Sequence, residues 1–123
     1  MVDETMRALS IRQPHAEAVL RGEKVIEYRT MATKIRGRFY IYAGGKVEDD
    51  YDGWMDFYGI DDVAYADLPR GVVVGTAELY DCSPEPDENG HYHWCLRNPE
   101  PAEELLKPLG QAQPIWFYPF RKR

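Results

Sequence analysis

The spacing of hydrophobic positions changes several times along this 123-residue chain, and each change marks an element. In "RALSIRQ", Ala8 and Leu9 lead into Ile11 between polar neighbours, which predicts a first strand. "PHAEAVLRG" switches to helical spacing, with Ala16, Val19 and Leu20 at i, i+3 and i+4. Pro14 suits a first helical position and Gly22 a C-terminal stop. "KVIEYRT" and "GRFYIYAG" are rich in β-branched and aromatic residues and predict a second and a third strand. Val47, Tyr51, Trp54, Phe57 and Tyr58 recur at helix-like intervals, and the acidic residues 60–70 that follow read as irregular.

"GVVVGTAELYDCS" is the strongest strand in the chain, and Gly75 inside it signals a bulge or a close backbone approach. "HYHWCLRN" and "QPIWFYPF" complete a set of about six strands. Between them, "PEPAEELLKPLG" reads as a Pro-bounded connection with room for one helical turn. The expected architecture is one α+β domain over residues 1–123, a mostly antiparallel sheet curled into a β-barrel with short helices on its rim.

Composition narrows the class. The chain is 44% hydrophobic and carries three Trp, nine Tyr and four Phe, enough for a packed core. It has no apolar run of membrane-spanning length and opens with the acidic MVDETMRALS rather than a signal peptide. Two cysteines are too few for a disulfide-stapled domain, so a cytoplasmic location with reduced thiols is expected, and no membrane partner.

The net charge of −6 is unevenly spread. Nine Lys or Arg face three Glu between Arg7 and Lys46, whereas sixteen acids face two Arg between Val47 and Glu104. The last nineteen residues are again basic. Such asymmetry either solvates two surfaces or turns the basic half toward an anionic partner.

Two short segments carry candidate chemistry. Where "SIRQ" gives way to "PHAEAVL", the free N–H groups of a first helical turn, with Arg12 and His15, would suit a phosphate or carboxylate. An ordinary strand-to-helix turn explains the same residues. In "GEKVIEYRT", Val25, Glu27 and Arg29 share one strand face, and Lys24, Ile26 and Tyr28 the other. Lys24 can join Glu27 and Arg29 only from the turn after Gly22. An arginine held by a carboxylate is suited to bidentate phosphate contact, and a buried lysine to acid–base or nucleophilic work. From spacing alone, a structural Glu–Arg pair with a solvated Lys is the better fit.

"LSIRQPHAEAVLRGEKVIEYRT" resembles the opening signature of the ASCH domain (activating signal cointegrator homology), of the PUA-like superfamily. Gln13, Pro14, Ala16, Gly22, Lys24, Glu27 and Arg29 match its Gln-Pro-x-Ala and Gly-x-Lys-x-x-Glu-x-Arg pattern. "GVVVGTAELYDC" and the closing "YHWCLRNPEPAEELLKPLGQAQPIWFYPF" resemble its later motifs, so the likeness runs from about Leu9 to Phe120. His15 stands where the family usually has Trp. The resemblance implies a PUA-like barrel with a cleft between the first helix and the sheet, lined by the signature's Lys, Glu and Arg, and a role in RNA or DNA binding.

The first expectation is therefore a nucleic-acid-binding module, with RNA preferred and single strands favoured. Its candidate site is Arg12, Gln13, His15, Lys24, Glu27, Arg29 and Arg36, with Lys34 and Arg38 nearby and Tyr28, Tyr40 or Tyr42 as stacking surfaces. The alternative is a small hydrolase. A bacterial branch resembling this domain removes the acetyl group from acetylcytidine, and other members are associated with RNA cleavage. Here Lys24 and Glu27 would form a general acid–base pair, with Glu78 as an enclosed second carboxylate. Glu27 stands where that branch has its catalytic Thr.

A weaker candidate is a zinc site from His91, His93 and Cys95 on one strand face with Cys82 nearby, although the spacing matches no known zinc module. No cofactor is expected. The acidic stretch from Glu48 to Asp67 lacks a calcium-loop frame and reads as a solvated lid or a contact for a basic protein partner.

Overall fold

A computed structural model describes residues 2–122. The chain runs β1 (Ala8–Arg12), α1 (His15–Leu20), β2 (Ile26–Arg29), β3 (Gly37–Gly44), α2 (Tyr51–Phe57), a 3-10 turn (Tyr65–Asp67), β4 (Val72–Cys82), β5 (Tyr92–Leu106) and β6 (Trp116–Phe117). The six strands form one sheet in the order β2-β5-β4-β3-β1-β6. β1 runs parallel to β3, and every other pairing is antiparallel. The α+β architecture and curled sheet expected from the sequence are present.

Curvature comes from irregular pairing. β4 shifts register against β5 three times, and β3 shifts once against β4 between Ile41 and Tyr42. Each shift bends the bulged strand and increases its twist. Gly75 is one such point, because a Cβ there would collide with the Glu100 carbonyl and lie 2.5 Å from Leu20 Cδ2. Glycine lets α1 and β5 close onto β4 at the same place.

The concave face buries Leu9, Ile11, Phe39, Ile41, Leu79 and Trp94, with Ala16 and Val19 of α1 packed over them. Burying each large aliphatic or Phe side chain contributes about 1.5–3 kcal/mol, so this cluster is the main source of stability. Ala8, Tyr40, Val73, Phe117 and Phe120 form a second cluster. A third joins Ala18 of α1 to Met55, Tyr58, Ile60 and Leu68. The acidic segment is thus anchored to α1 by its own small core.

Three expectations need correction. The "PEPAEELLKPLG" segment forms no helical turn, since its first half continues β5 as far as Leu106, opposite Val73 to Thr76. "QPIWFYPF" pairs only at Trp116 and Phe117. The apolar stripe expected of residues 47–58 is largely outside: Phe57 is 75% and Val47 64% exposed, while Met55 and Tyr58 carry the packing. Among the described residues, no helix is long and apolar enough to cross a membrane.

Candidate ligand cleft

Curling brings the sheet edge at β2 back toward β1, and Arg29 crosses that seam. Its Nη2 donates to the Ser10 carbonyl of β1 at 2.9 Å. The same guanidinium makes two hydrogen bonds to Glu27 Oε2, at 2.8 Å from Nε and 2.5 Å from Nη2. Lys24 lies in the turn before β2, as joining the pair requires, and places Nζ 3.4 Å from Glu27 Oε1. Side chains of Glu27 and Lys24 are each 10% exposed. The Glu27 carboxylate therefore sits between two cations at the floor of a cleft of about 890 Å³.

The opposite wall comes from α1 and the acidic segment. His15 Nε2 lies 2.8 Å from Glu48 Oε2, and its Nδ1 lies 2.7 Å from the Tyr58 hydroxyl. A carboxylate only accepts, so Nε2 carries the proton, and neutral His15 accepts the Tyr58 proton at Nδ1. Burial pushes His15 below its ordinary value, and Lys24 adds to this against the opposing pull of Glu27 and Glu48. Burial also raises the Tyr58 phenol, reinforced by Glu27 and Glu48, which keeps it a proton donor. Arg12 adds a longer contact to Glu48 at 3.6 Å. Trp54 packs edge-on against His15 and is 38% exposed at the mouth. The remaining rim is the hairpin before β5, where Asp87 pairs with His93 at 2.9 Å and His93 meets the Tyr28 ring.

Of the predicted site residues, Arg12, His15, Lys24, Glu27 and Arg29 line this cleft together with Tyr28, His91 and His93. Gln13 does not. Its buried amide accepts the Glu17 N–H and donates to the Pro69 carbonyl, so it occupies one of the first-turn N–H groups that could have met an anion. Arg36 lies outside the cleft, exposed and bonded to the Thr33 and Ile35 carbonyls. Arg38 bonds Thr76 and Asn98 across β4 and β5. Glu78 is not enclosed, being paired with Arg97 and Asn98 away from the cleft. Of the weak metal candidates, His93 is engaged by Asp87, and Cys82 and Cys95 are free thiols. Among the described residues no three His, Cys, Asp or Glu converge as metal ligands.

The profile of the ASCH domain family, described as "ASCH domain", matches residues 9–114. The chain belongs to that family. The structure of this ASCH domain is similar to the crystal structure of ASCH from Zymomonas mobilis, with a TM-score of 0.60 at 15% identity, covering 98% of this chain and 90% of that one. At that identity the likeness concerns the fold. Among curated proteins, none matches the chain in sequence.

Several residues of the ASCH cleft carry no sequence signal that ties them to it. Glu48, Trp54 and Tyr58 lie in the segment that reads as a lid, and Asp87 in a stretch with no reading of its own, all far along the chain from the signature. The helix-like spacing of Trp54 and Tyr58 is visible, but not which side of α2 meets α1. The cleft carries three fixed cations (Arg12, Lys24, Arg29) against four carboxylates (Glu27, Glu48, Asp87, Glu88). Each of those cations contacts a carboxylate. Such a lining offers paired donors and acceptors to a polar, planar ligand, and no uncompensated positive field to a chain of phosphates.

Proposed function

We propose that this ASCH domain binds single-stranded RNA by taking one nucleotide into the cleft between α1, β2 and the acidic segment. The PUA-like family it belongs to is often linked to RNA binding. The observation that carries the reading is the buried Glu27 carboxylate held between Lys24 and Arg29 at the cleft floor. Arg29 saturates Oε2, which leaves Oε1 turned to Lys24 and able to accept from the amino edge of a base. Lys24 has donors to spare for a carbonyl or a sugar hydroxyl. Tyr28, 50% exposed, and Trp54 offer ring faces at the mouth, as stacking of an unpaired base requires.

The test follows intrinsic tryptophan fluorescence, to which Trp54 at the mouth contributes, during titration with mononucleotides, and the anisotropy of a labelled single-stranded RNA octamer, for wild type, Lys24→Ala and Glu27→Gln. Each substitution is expected to weaken both ligands at least tenfold. Unchanged affinities in both variants would sink the reading.

One observation favours a second role. Lys24 and Glu27 form a secluded pair able to pass a proton. In hydrolysis of an acylated nucleoside, Glu27 would take a proton from the attacking water and Lys24 would give one to the departing amine. Glu27 must first release a bond from Lys24 or Arg29. Product formation from acetylcytidine that Lys24→Ala abolishes would establish this role, and its absence would leave binding alone.

A further inference from the structure

One group of cations without carboxylate partners among the described residues lies outside the cleft, where Arg7 meets the C-terminal segment. Arg7 and Arg121 lie over Tyr118, Lys122 lines the same cavity as that ring, and Lys107 precedes Pro108, which also lines it. Among the described residues, none of these four side chains lies within ion-pair distance of a carboxylate. The acid that comes near, Glu4, meets only the Lys122 backbone N–H, at 3.5 Å. In the cleft, by contrast, every fixed cation is engaged by an acid.

The cations here are arranged on aromatic rings. Arg121 lies over Tyr118 with its guanidinium carbon 3.6 Å from the ring centroid, and Arg7 approaches the same ring at 5.6 Å and Trp116 at 6.0 Å. A guanidinium held flat on a ring keeps its donors and presents a planar cationic face on which a base stacks. Beside it opens a cavity of about 600 Å³ that includes the exposed amides of Gln111 and Gln113. Those amides can donate to and accept from base edges.

This cavity and the cleft meet at one point of the chain. Gln113 lines one and Pro114 the other, so the two residues form a ridge between them. The ridge is fixed next to its base, where the Ile115 carbonyl accepts the Ser10 N–H at 2.9 Å.

We propose that the Arg7–Tyr118–Arg121–Lys122 surface is a second nucleic-acid subsite, which holds the phosphates and stacks a base of the strand after it crosses the Gln113–Pro114 ridge. The proposal rests on the cleft taking a nucleotide of the same strand. It divides the work between two sites: the charge-balanced cleft selects a base, and the basic platform supplies the salt-sensitive hold on the backbone. A single nucleotide then needs only the cleft, whereas a strand uses both.

The experiment compares a fluorescein-labelled single-stranded RNA octamer with a mononucleotide, at several salt concentrations. The proteins are wild type, Arg121→Ala/Lys122→Ala, Arg7→Ala, and Lys34→Ala/Arg36→Ala as a control whose charges line neither cavity. Circular dichroism checks that each variant is folded. Octamer affinity is expected to fall at least tenfold in the Arg121/Lys122 double variant, and the slope of log K against log salt to become shallower by about 1.4, for two lost phosphate contacts on a single strand. Arg7→Ala should weaken the octamer in the same direction. Mononucleotide affinity, from the midpoint of the tryptophan fluorescence titration, should stay within twofold throughout.

Octamer affinity and salt slope left unchanged by both Arg7→Ala and the double variant would overturn the second subsite while leaving the cleft reading intact. An equal loss in the Lys34/Arg36 control would also overturn it, since general charge would then be responsible. Platform-dependent octamer binding with no mononucleotide binding would overturn the two-site path and the cleft reading together, leaving the platform as a site of its own. No octamer binding by wild type at low salt would dispose of both.

Discussion

Arg29 does two jobs at once, and removing it should be costly. Arg29→Ala strips Glu27 of two hydrogen bonds and the Ser10 carbonyl of one, and it takes away the cation that lies over Trp94 at 5.6 Å. A buried carboxylate that loses its partner costs about 3–5 kcal/mol. Lys24 at 3.4 Å remains as partial compensation, which points to the lower part of that range. The lost bond to Ser10 adds about 1 kcal/mol. The sum is about 4 kcal/mol, or a melting temperature lower by about 15 °C for a domain of this size.

The decisive comparison is a double-mutant cycle with Glu27→Gln, which removes the charge that Arg29 neutralises. In the Glu27→Gln background, Arg29→Ala should cost only about 1–2 kcal/mol, giving a coupling of about 2–3 kcal/mol. Urea unfolding at pH 7, followed by circular dichroism, supplies all four corners. A cost below about 1 kcal/mol for Arg29→Ala, or equal costs in the two backgrounds, would refute the seam-clasp argument. Arg29 would then be a ligand contact with no part in closing the barrel.

Other consequences can be checked in the same apparatus. Gly75→Ala should destabilise by about 3 kcal/mol, because the new methyl meets the Glu100 carbonyl, which cannot swing aside as a side-chain end would. His15, held below its ordinary value of 6.5 by burial, binds its proton less readily folded than unfolded. Stability should therefore decline as pH falls below about 6.5 toward the lower folded value, and His15→Gln should flatten that part of the urea-midpoint profile. Asp87, drawn down to about 2 by His93 and the His91 N–H, has the opposite charge type. Its contribution should be complete above about 3.8 and vanish between there and 2, and Asp87→Asn should remove that acid limb.

The legible strands are those whose own residues settle the matter. "GRFYIYAG" combines alternation with aromatic and β-branched residues, and it forms β3 over that whole stretch, Gly37 to Gly44. Residues 99–106 depart from the expected turn because Ala102, Glu103, Glu104 and Leu105 favour helix locally, yet pairing with β4 draws them into an extended run. The two flanking prolines, Pro114 and Pro119, restrict β6 to its central pair of residues.

At the site, Lys24, Glu27 and Arg29 stand out in the sequence as charges on a strand, and the fold brings them together. Glu48 and Tyr58 reach His15 through tertiary packing across more than thirty residues, which no local pattern records. Only charge and sequence order point to Arg36 and Glu78 as site residues, and the curl of the sheet carries both elsewhere.

The pairing of β2 has a bearing on how the chain is made. Among the described residues, the only strand β2 joins is β5, more than sixty residues further on. At roughly 5–20 residues per second, a ribosome needs about 3–13 s to add that stretch. During this interval β1, β3 and β4 can pair, but the strand bearing Glu27 and Arg29 has no edge to dock on. A nascent chain would thus hold most of its scaffold while still lacking its pocket floor, and competence to bind would come late in synthesis, with the arrival of residues 92–95.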